Sequence, residues 1–126
     1  MMTRTLTVLF TLAGLAGVVA GLTAASLSAR FQQKPQVVDI AVERFSFTPS
    51  EFHVPAGMPV EIRLRSDDTD HGFRIVGTNV NVTIPKRGKG IATVIFQPPA
   101  AGKYVFECSK LCGAGHAFMR GQIIAD

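Results

Sequence analysis

KYVFECSKLCGAGHAFMRGQIIAD, Lys103 to Asp126, reads as a strand, a loop and a strand. Aromatic and β-branched residues mark both ends of the stretch, and Gly113, Gly115 and Gly121 punctuate the middle. The loop carries Cys108-x3-Cys112-x3-His116-x2-Met119, so four metal-capable side chains fall within twelve positions. A loop of this kind needs a rigid frame on both sides, and the flanking segments are sheet-like rather than helical.

The same grammar extends upstream. VEIRLRS (Val60–Ser66) alternates, which directs Val60, Ile62 and Leu64 inward and Glu61, Arg63 and Arg65 outward. VVDIAVERF (Val37–Phe45) alternates with Val38, Ile40 and Val42 on one face. FTPSEFHVPAGMP (Phe47–Pro59) is punctuated by Pro and Gly, DDTDHG (Asp67–Gly72) is a loop, and FRIVG and NVNVTIP supply two more β-like runs. KRGKG and PPAAG are turns around the strand IATVIFQ (Ile91–Gln97). About seven short strands in roughly 90 residues, with no repeat and no βαβ pattern, predict an all-β antiparallel sandwich or Greek-key barrel. So small a sheet domain has a modest core and benefits from a staple, either a disulfide or a metal.

The N-terminus is a different material. No charge lies between Arg4 and Arg30, so Thr5 to Ala29 is a 25-residue uncharged run. That is long enough for a membrane-spanning helix, which needs about 20 apolar residues. The small residues of TAASLSA also offer a signal peptidase somewhere to cut. Residues 1–30 are therefore read as a transmembrane anchor or signal peptide, 31–36 (FQQKPQ) as a linker, and 37–126 as the folded domain. Either reading sends the domain across the membrane. GVVAG, Gly17 to Gly21, fits a small-residue helix contact.

The chain has 126 residues, 47% apolar and 17% charged, which excludes disorder and leaves room for one domain plus an appendage. Its formal charge of +4 is concentrated at the start: from Phe31 onward 11 Lys+Arg face 9 Asp+Glu. That weak excess, with no basic stripe interleaved with aromatics, points away from nucleic acid. No Ser/His/Asp set, phosphate-binding glycine loop or paired catalytic carboxylates is present.

Three readings of the loop compete. Two cysteines in an oxidising compartment usually pair, but a Cys108–Cys112 bond leaves His116 and Met119 without purpose. A mononuclear copper site uses Cys112, His116, Met119 and a distant histidine, His71 of DDTDHGF. It leaves Cys108 surplus. A pair of metal ions bridged by both thiolates uses every candidate, with an imidazole for each ion. Soft sulfur with imidazole selects copper over Mg or Ca, while Cys2His2 is also a zinc set, though not at this spacing.

HGFRIVGTNVNVTIP followed by CSKLCGAGHAFMRG resembles the copper-A domain of subunit II of haem–copper respiratory oxidases, in its short, single-anchor, ba3-like form. The resemblance spans about Val37 to Asp126. It implies a cupredoxin-like Greek-key β-barrel behind an N-terminal hydrophobic helix. It implies two coppers bridged by Cys108 and Cys112, one completed by His71 and Met119 and the other by His116 and the backbone carbonyl of Lys110. It implies an electron-transfer role: a soluble donor such as cytochrome c reduces the centre, which passes electrons to the haem-bearing oxidase subunit I. The chain itself is then a non-catalytic electron-entry subunit, held in the cell membrane by one span with the copper domain on the periplasmic side. The alternative is a free-standing, secreted periplasmic cupredoxin-like carrier or copper-handling protein.

Departures from the family pattern sharpen the expectations. Position 110 is Lys where many members carry an acidic or amide side chain, which puts an accessory interface Mg²⁺ in doubt. The chain has no Trp, so Phe73, Phe118 or Phe52 is the candidate aromatic at the electron-entry point. Asp67, Asp68 and Asp70 are candidates for steering a cationic donor, and Asp70 for hydrogen-bonding a ligand histidine. His53 is expected on a strand edge, Met58 in a turn, Lys86, Arg87 and Lys89 in a solvated turn, and Glu107 pointing out of its strand.

Overall fold

The computed structural model describes residues 34–126, and the anchor or signal expected over residues 1–30 lies outside them. The described chain forms nine strands: β1 (Gln36–Glu43), β2 (Ser46–Thr48), β3 (Glu51–Val54), β4 (Val60–Ser66), β5 (His71–Ile75), β6 (Asn81–Ile84), β7 (Ala92–Phe96), β8 (Gly102–Glu107) and β9 (Arg120–Ala125). A single 3-10 turn, His116–Phe118, interrupts the last loop.

Two sheets face each other. One has the order β2-β1-β4-β7 and the other β3-β9-β8-β5-β6. Alternation puts Val60, Ile62 and Leu64 of β4 in the core and leaves Arg63 and Arg65 exposed, as the sequence pattern requires. Ile40 and Val42 of β1 do the same. The two inner faces meet at a phenylalanine cluster. The Phe106 ring lies 5.1 Å from Phe73 and 5.2 Å from Phe47, within the range of favourable aromatic pairs. Truncating a ring buried this completely costs about 3–5 kcal/mol, so Phe106 anchors the end of β8 firmly just before Cys108.

One expectation needs correction. The sheets are mixed, not antiparallel: β1 runs parallel to β4, with Ile40 opposite Leu64, and β3 runs parallel to β9, with Phe52 opposite Ile123. Alternation fixes which face is buried but says nothing of strand direction, which the connections decide. Within the Pro/Gly-punctuated stretch Phe47–Pro59, Phe47, Phe52 and Val54 are buried on β2 and β3, flanking Pro49, which lies between the strands and not inside one.

Candidate metal centre

The site stands at one end of the sandwich, where β5 starts and β8 stops. In the antiparallel β5–β8 pair, Arg74 faces Glu107 and Ile75 faces Phe106. The chain running back along β5 therefore reaches Gly72 and His71 just as β8 releases Cys108. At Gly72 the two backbones close up: a Cβ there would lie 2.7 Å from the Lys110 amide nitrogen and 2.9 Å from that of Ser109, and would overlap the Ser109 hydroxyl. Glycine is required for this approach, and it sets His71 against the loop. The loop is closed at its neck by the Cys108 N–H, which donates to the Met119 carbonyl at 3.0 Å.

Within that frame all six expected groups form one continuous chain of contacts. The Cys108 and Cys112 sulfurs are 3.7 Å apart. His71 Nδ1 lies 3.9 Å from Cys108 Sγ, and His116 Nδ1 lies 3.7 Å from Cys112 Sγ. Met119 Sδ is 3.8 Å from Cys112 Sγ, and the Lys110 carbonyl oxygen is 3.1 Å from Cys108 Sγ. Ligand atoms of His71, Cys108 and Cys112 all lie within 4.8 Å of one another. Both cysteines are free and buried, and Met119 and His71 are wholly inaccessible.

This donor set suits copper. Sulfur–metal bonds of about 2.3 Å from two sulfurs span up to roughly 4.6 Å, so thiolates at the observed separation can share an ion. Two thiolates, two imidazoles and a thioether form a soft donor set, with His71, Cys108, Cys112 and Met119 buried and His116 half-buried. Burial, together with the hydrogen bond and charge of Cys108, pushes the Cys112 thiol up to about 11, while the Arg44 guanidinium pulls it the other way.

The carboxylate that orients His71 is Asp68, not Asp70. Asp68 Oδ1 lies 2.7 Å from His71 Nε2, which leaves Nδ1 turned towards the cysteines. Asp68 also accepts from the amides of Arg44 at 2.9 Å and Thr69 at 2.7 Å. Partial burial opposes its ionisation, but these bonds outweigh it and hold the carboxyl at about 2. Sequence spacing gave no reason to choose position 68. The signal is the turn Ser66–Thr69, where Ser66 Oγ donates to the Thr69 carbonyl at 2.5 Å and the Asp68 amide donates back to Ser66 Oγ. Asp70 instead accepts from the Lys86 amide at 2.7 Å and from Lys110 Nζ at 3.3 Å, contacts that lower its pKa. Asp67 pairs with Arg65. All three aspartates are thus internally paired, which weakens the expectation that they steer a cationic donor.

Other expectations resolve by position. Phe73 and Phe52 are core residues, while Phe118 is 85% exposed on the metal loop, with Leu111 79% exposed beside it. His53 sits on the edge strand β3, bonded to Asp126 at 2.8 Å, and is not brought to the site. Met58 is half-buried in the turn after β3. Glu107 turns outward to Arg74 and Arg120. Sequence reasoning missed Arg44, whose Nε donates to the Cys112 carbonyl at 2.7 Å across 68 residues of chain.

Known proteins share this arrangement of chain. Residues 15–125 match the family described as the cupredoxin-like domain. The chain is 34% identical over 80 residues to cytochrome c oxidase subunit 2 of Thermus thermophilus, covering 64% of this chain and 58% of that protein. It spans about half the length of the curated relatives it matches. Among solved structures, a heme-copper terminal oxidase dimer determined by cryo-EM aligns with a TM-score of 0.64 and 28% identity, covering 75% of this chain and 67% of that chain. The periplasmic domain of subunit II of cytochrome oxidase from Bradyrhizobium japonicum aligns with a TM-score of 0.65 over 75% of this chain and 86% of that one. At 18% identity it shows the shared fold.

Proposed function

The chain belongs to the cupredoxin-like domain family, and from that premise we propose that it is the electron-entry subunit of a haem–copper oxidase, built around a binuclear copper centre. One observation carries the reading: two free buried thiols 3.7 Å apart, each with an imidazole nitrogen within 3.9 Å. A mononuclear site has no use for Cys108. A two-ion site uses it as a bridge. In this reading the copper pair would be held by the Cys108 and Cys112 thiolates, with His71 and Met119 serving one ion and His116 with the Lys110 carbonyl serving the other.

When bound, the copper pair supplies one-electron redox chemistry spread over both ions and both sulfurs. The rest is the work of this chain. The buried β5 and β8 ends hold the ligand atoms in place, so little rearrangement accompanies a change of charge. Met119 and the phenylalanine cluster exclude water. Asp68 holds His71 in one orientation through Nε2. Exposed Leu111 and Phe118 give the loop an apolar outer surface, which suits brief docking of a soluble donor such as a cytochrome c. The catalytic partner is a haem-bearing subunit I. Residues 1–30 serve as the membrane anchor, with the copper domain on the periplasmic side. No helix among the described residues is long and apolar enough to cross a membrane.

Purification of the full chain from host membranes tests the assignment. An oxidase subunit brings a haem-bearing polypeptide with it in fixed ratio. Copper-loaded chain recovered with no haem partner refutes the oxidase role and supports the free-standing carrier.

A further inference from the structure

The tip of the β1–β2 hairpin is the least expected part of the site. Residues at such a tip normally face solvent. Here the Arg44 backbone amide donates to Asp68, the carboxylate behind His71, while its side-chain Nε donates to the Cys112 carbonyl. The neighbouring Phe45 ring lies against the backbone of the metal loop. A Cβ at Gly113 would come 2.9 Å from Phe45 Cζ, and one at Gly115 would overlap the ring. Apart from the neck bond of the Cys108 amide to the Met119 carbonyl, the loop's own hydrogen bonds beyond Cys112 are local: His116 N–H to the Gly113 carbonyl, Phe118 N–H to Gly115 and Met119 N–H to His116, at 3.1–3.2 Å. Local turns of this kind fix no position relative to the sheets.

We infer that Arg44 and Phe45 act as a clamp, positioning residues that hold the Cys112–His116 half of the metal loop in ligand geometry and tie it to the Asp68–His71 half. Arg44 is the hub because one residue contacts both halves, its backbone on one and its guanidinium on the other. Phe45 supplies the flat surface across which Gly113 and Gly115 pass. This explains why those two positions lack side chains: any Cβ at Gly115 displaces the ring.

The copper readout below rests on the function proposed above, whereas the amide readout needs no metal. Arg44 is exposed, so its substitution spares the core. In the metal-free full chain, hydrogen exchange at the amides of His116, Phe118 and Met119 is expected to rise about tenfold in Arg44→Gln and in Phe45→Ala, with β4 amides unchanged. Arg44→Lys, which keeps a donor and a charge, restores most of the protection. Arg63→Gln, which breaks an exposed pair with Glu61 on β4, changes nothing at the loop. In copper-loaded protein the same two clamp variants should release copper to a chelator roughly ten to a hundred times faster and show an altered hyperfine pattern. Loop amides exchanging at the wild-type rate in both variants overturn the clamp. If wild-type chain takes up no copper, the proposed centre fails, and the amide result still decides the clamp.

Discussion

Gly72→Ala places a single methyl between His71 and the backbone of the metal loop. The new Cβ would sit 2.7 Å from the Lys110 nitrogen, against at least 3.4 Å for an ordinary contact. The obstacle is backbone, so it cannot rotate aside. Ser109 Oγ can, but only by giving up its 2.7 Å bond to Asn81. The loop must therefore retreat by about 0.7 Å, and overpacking of this kind costs about 1–3 kcal/mol. For a domain of this size that is a melting-temperature drop of roughly 5–20 °C. The displacement falls on Ser109–Lys110, whose carbonyl lies 3.1 Å from Cys108 Sγ, so the copper spectrum should change with the stability. Gly77→Ala is the control. It meets nothing within 4 Å, but at φ +78° it carries backbone strain of about 1–2 kcal/mol away from the site. Thermal melts and optical spectra of the two loaded variants separate the effects: both are destabilised, and only Gly72→Ala alters the spectrum. A Gly72→Ala protein that matches wild type in both would refute the close approach.

Other outcomes follow from the same geometry. Asp68→Ala strands the Nε2 of a fully buried histidine and two backbone amides, and should cost about 2–4 kcal/mol in urea unfolding. Asp70→Ala, whose partners are exposed, should cost well under about 1 kcal/mol. Asp68 also sets an acid limit. Its folded pKa of about 2 lies below the unfolded value near 3.9, so its contribution is present above about pH 4 and is lost as pH falls through 2. With solvent screening this amounts to about 1 kcal/mol, and it should vanish from the pH–stability curve of Asp68→Asn. Because burial holds the Cys112 thiol protonated up to about 11, copper uptake at neutral pH must release protons. Apparent affinity should fall about tenfold for each unit that pH is lowered, per thiol proton displaced, measured by chelator competition.

The sequence made some of this legible for physical reasons. Alternation in Val60–Ser66 is set by the pleat of a single strand, so the inward face of β4 needed no tertiary information. The candidate loop stood out because its residues are close in sequence and chemically unusual. His71 entered as the distant histidine that a copper site would need, and the resemblance then gave it a place; its neighbour Cys108 lies 37 residues away. What stayed hidden depends on contacts between distant segments. Nothing in VVDIAVERF says that it runs parallel to β4, and the three aspartates of DDTDHG look alike until the turn at Ser66 points one of them at His71. Arg44 lies inside the β-like run VVDIAVERF and drew no reading of its own, because its acceptor, the Cys112 carbonyl, is backbone and leaves no mark on composition.

Copper content and the EPR spectrum of the reconstituted full chain bear most directly on the central claim. One unpaired electron shared equally by two copper nuclei gives seven hyperfine lines, and one confined to a single nucleus gives four. The account predicts two coppers per chain, a purple seven-line species, and its loss or conversion in Cys108→Ser. One copper per chain with a blue, four-line spectrum that survives Cys108→Ser would contradict it.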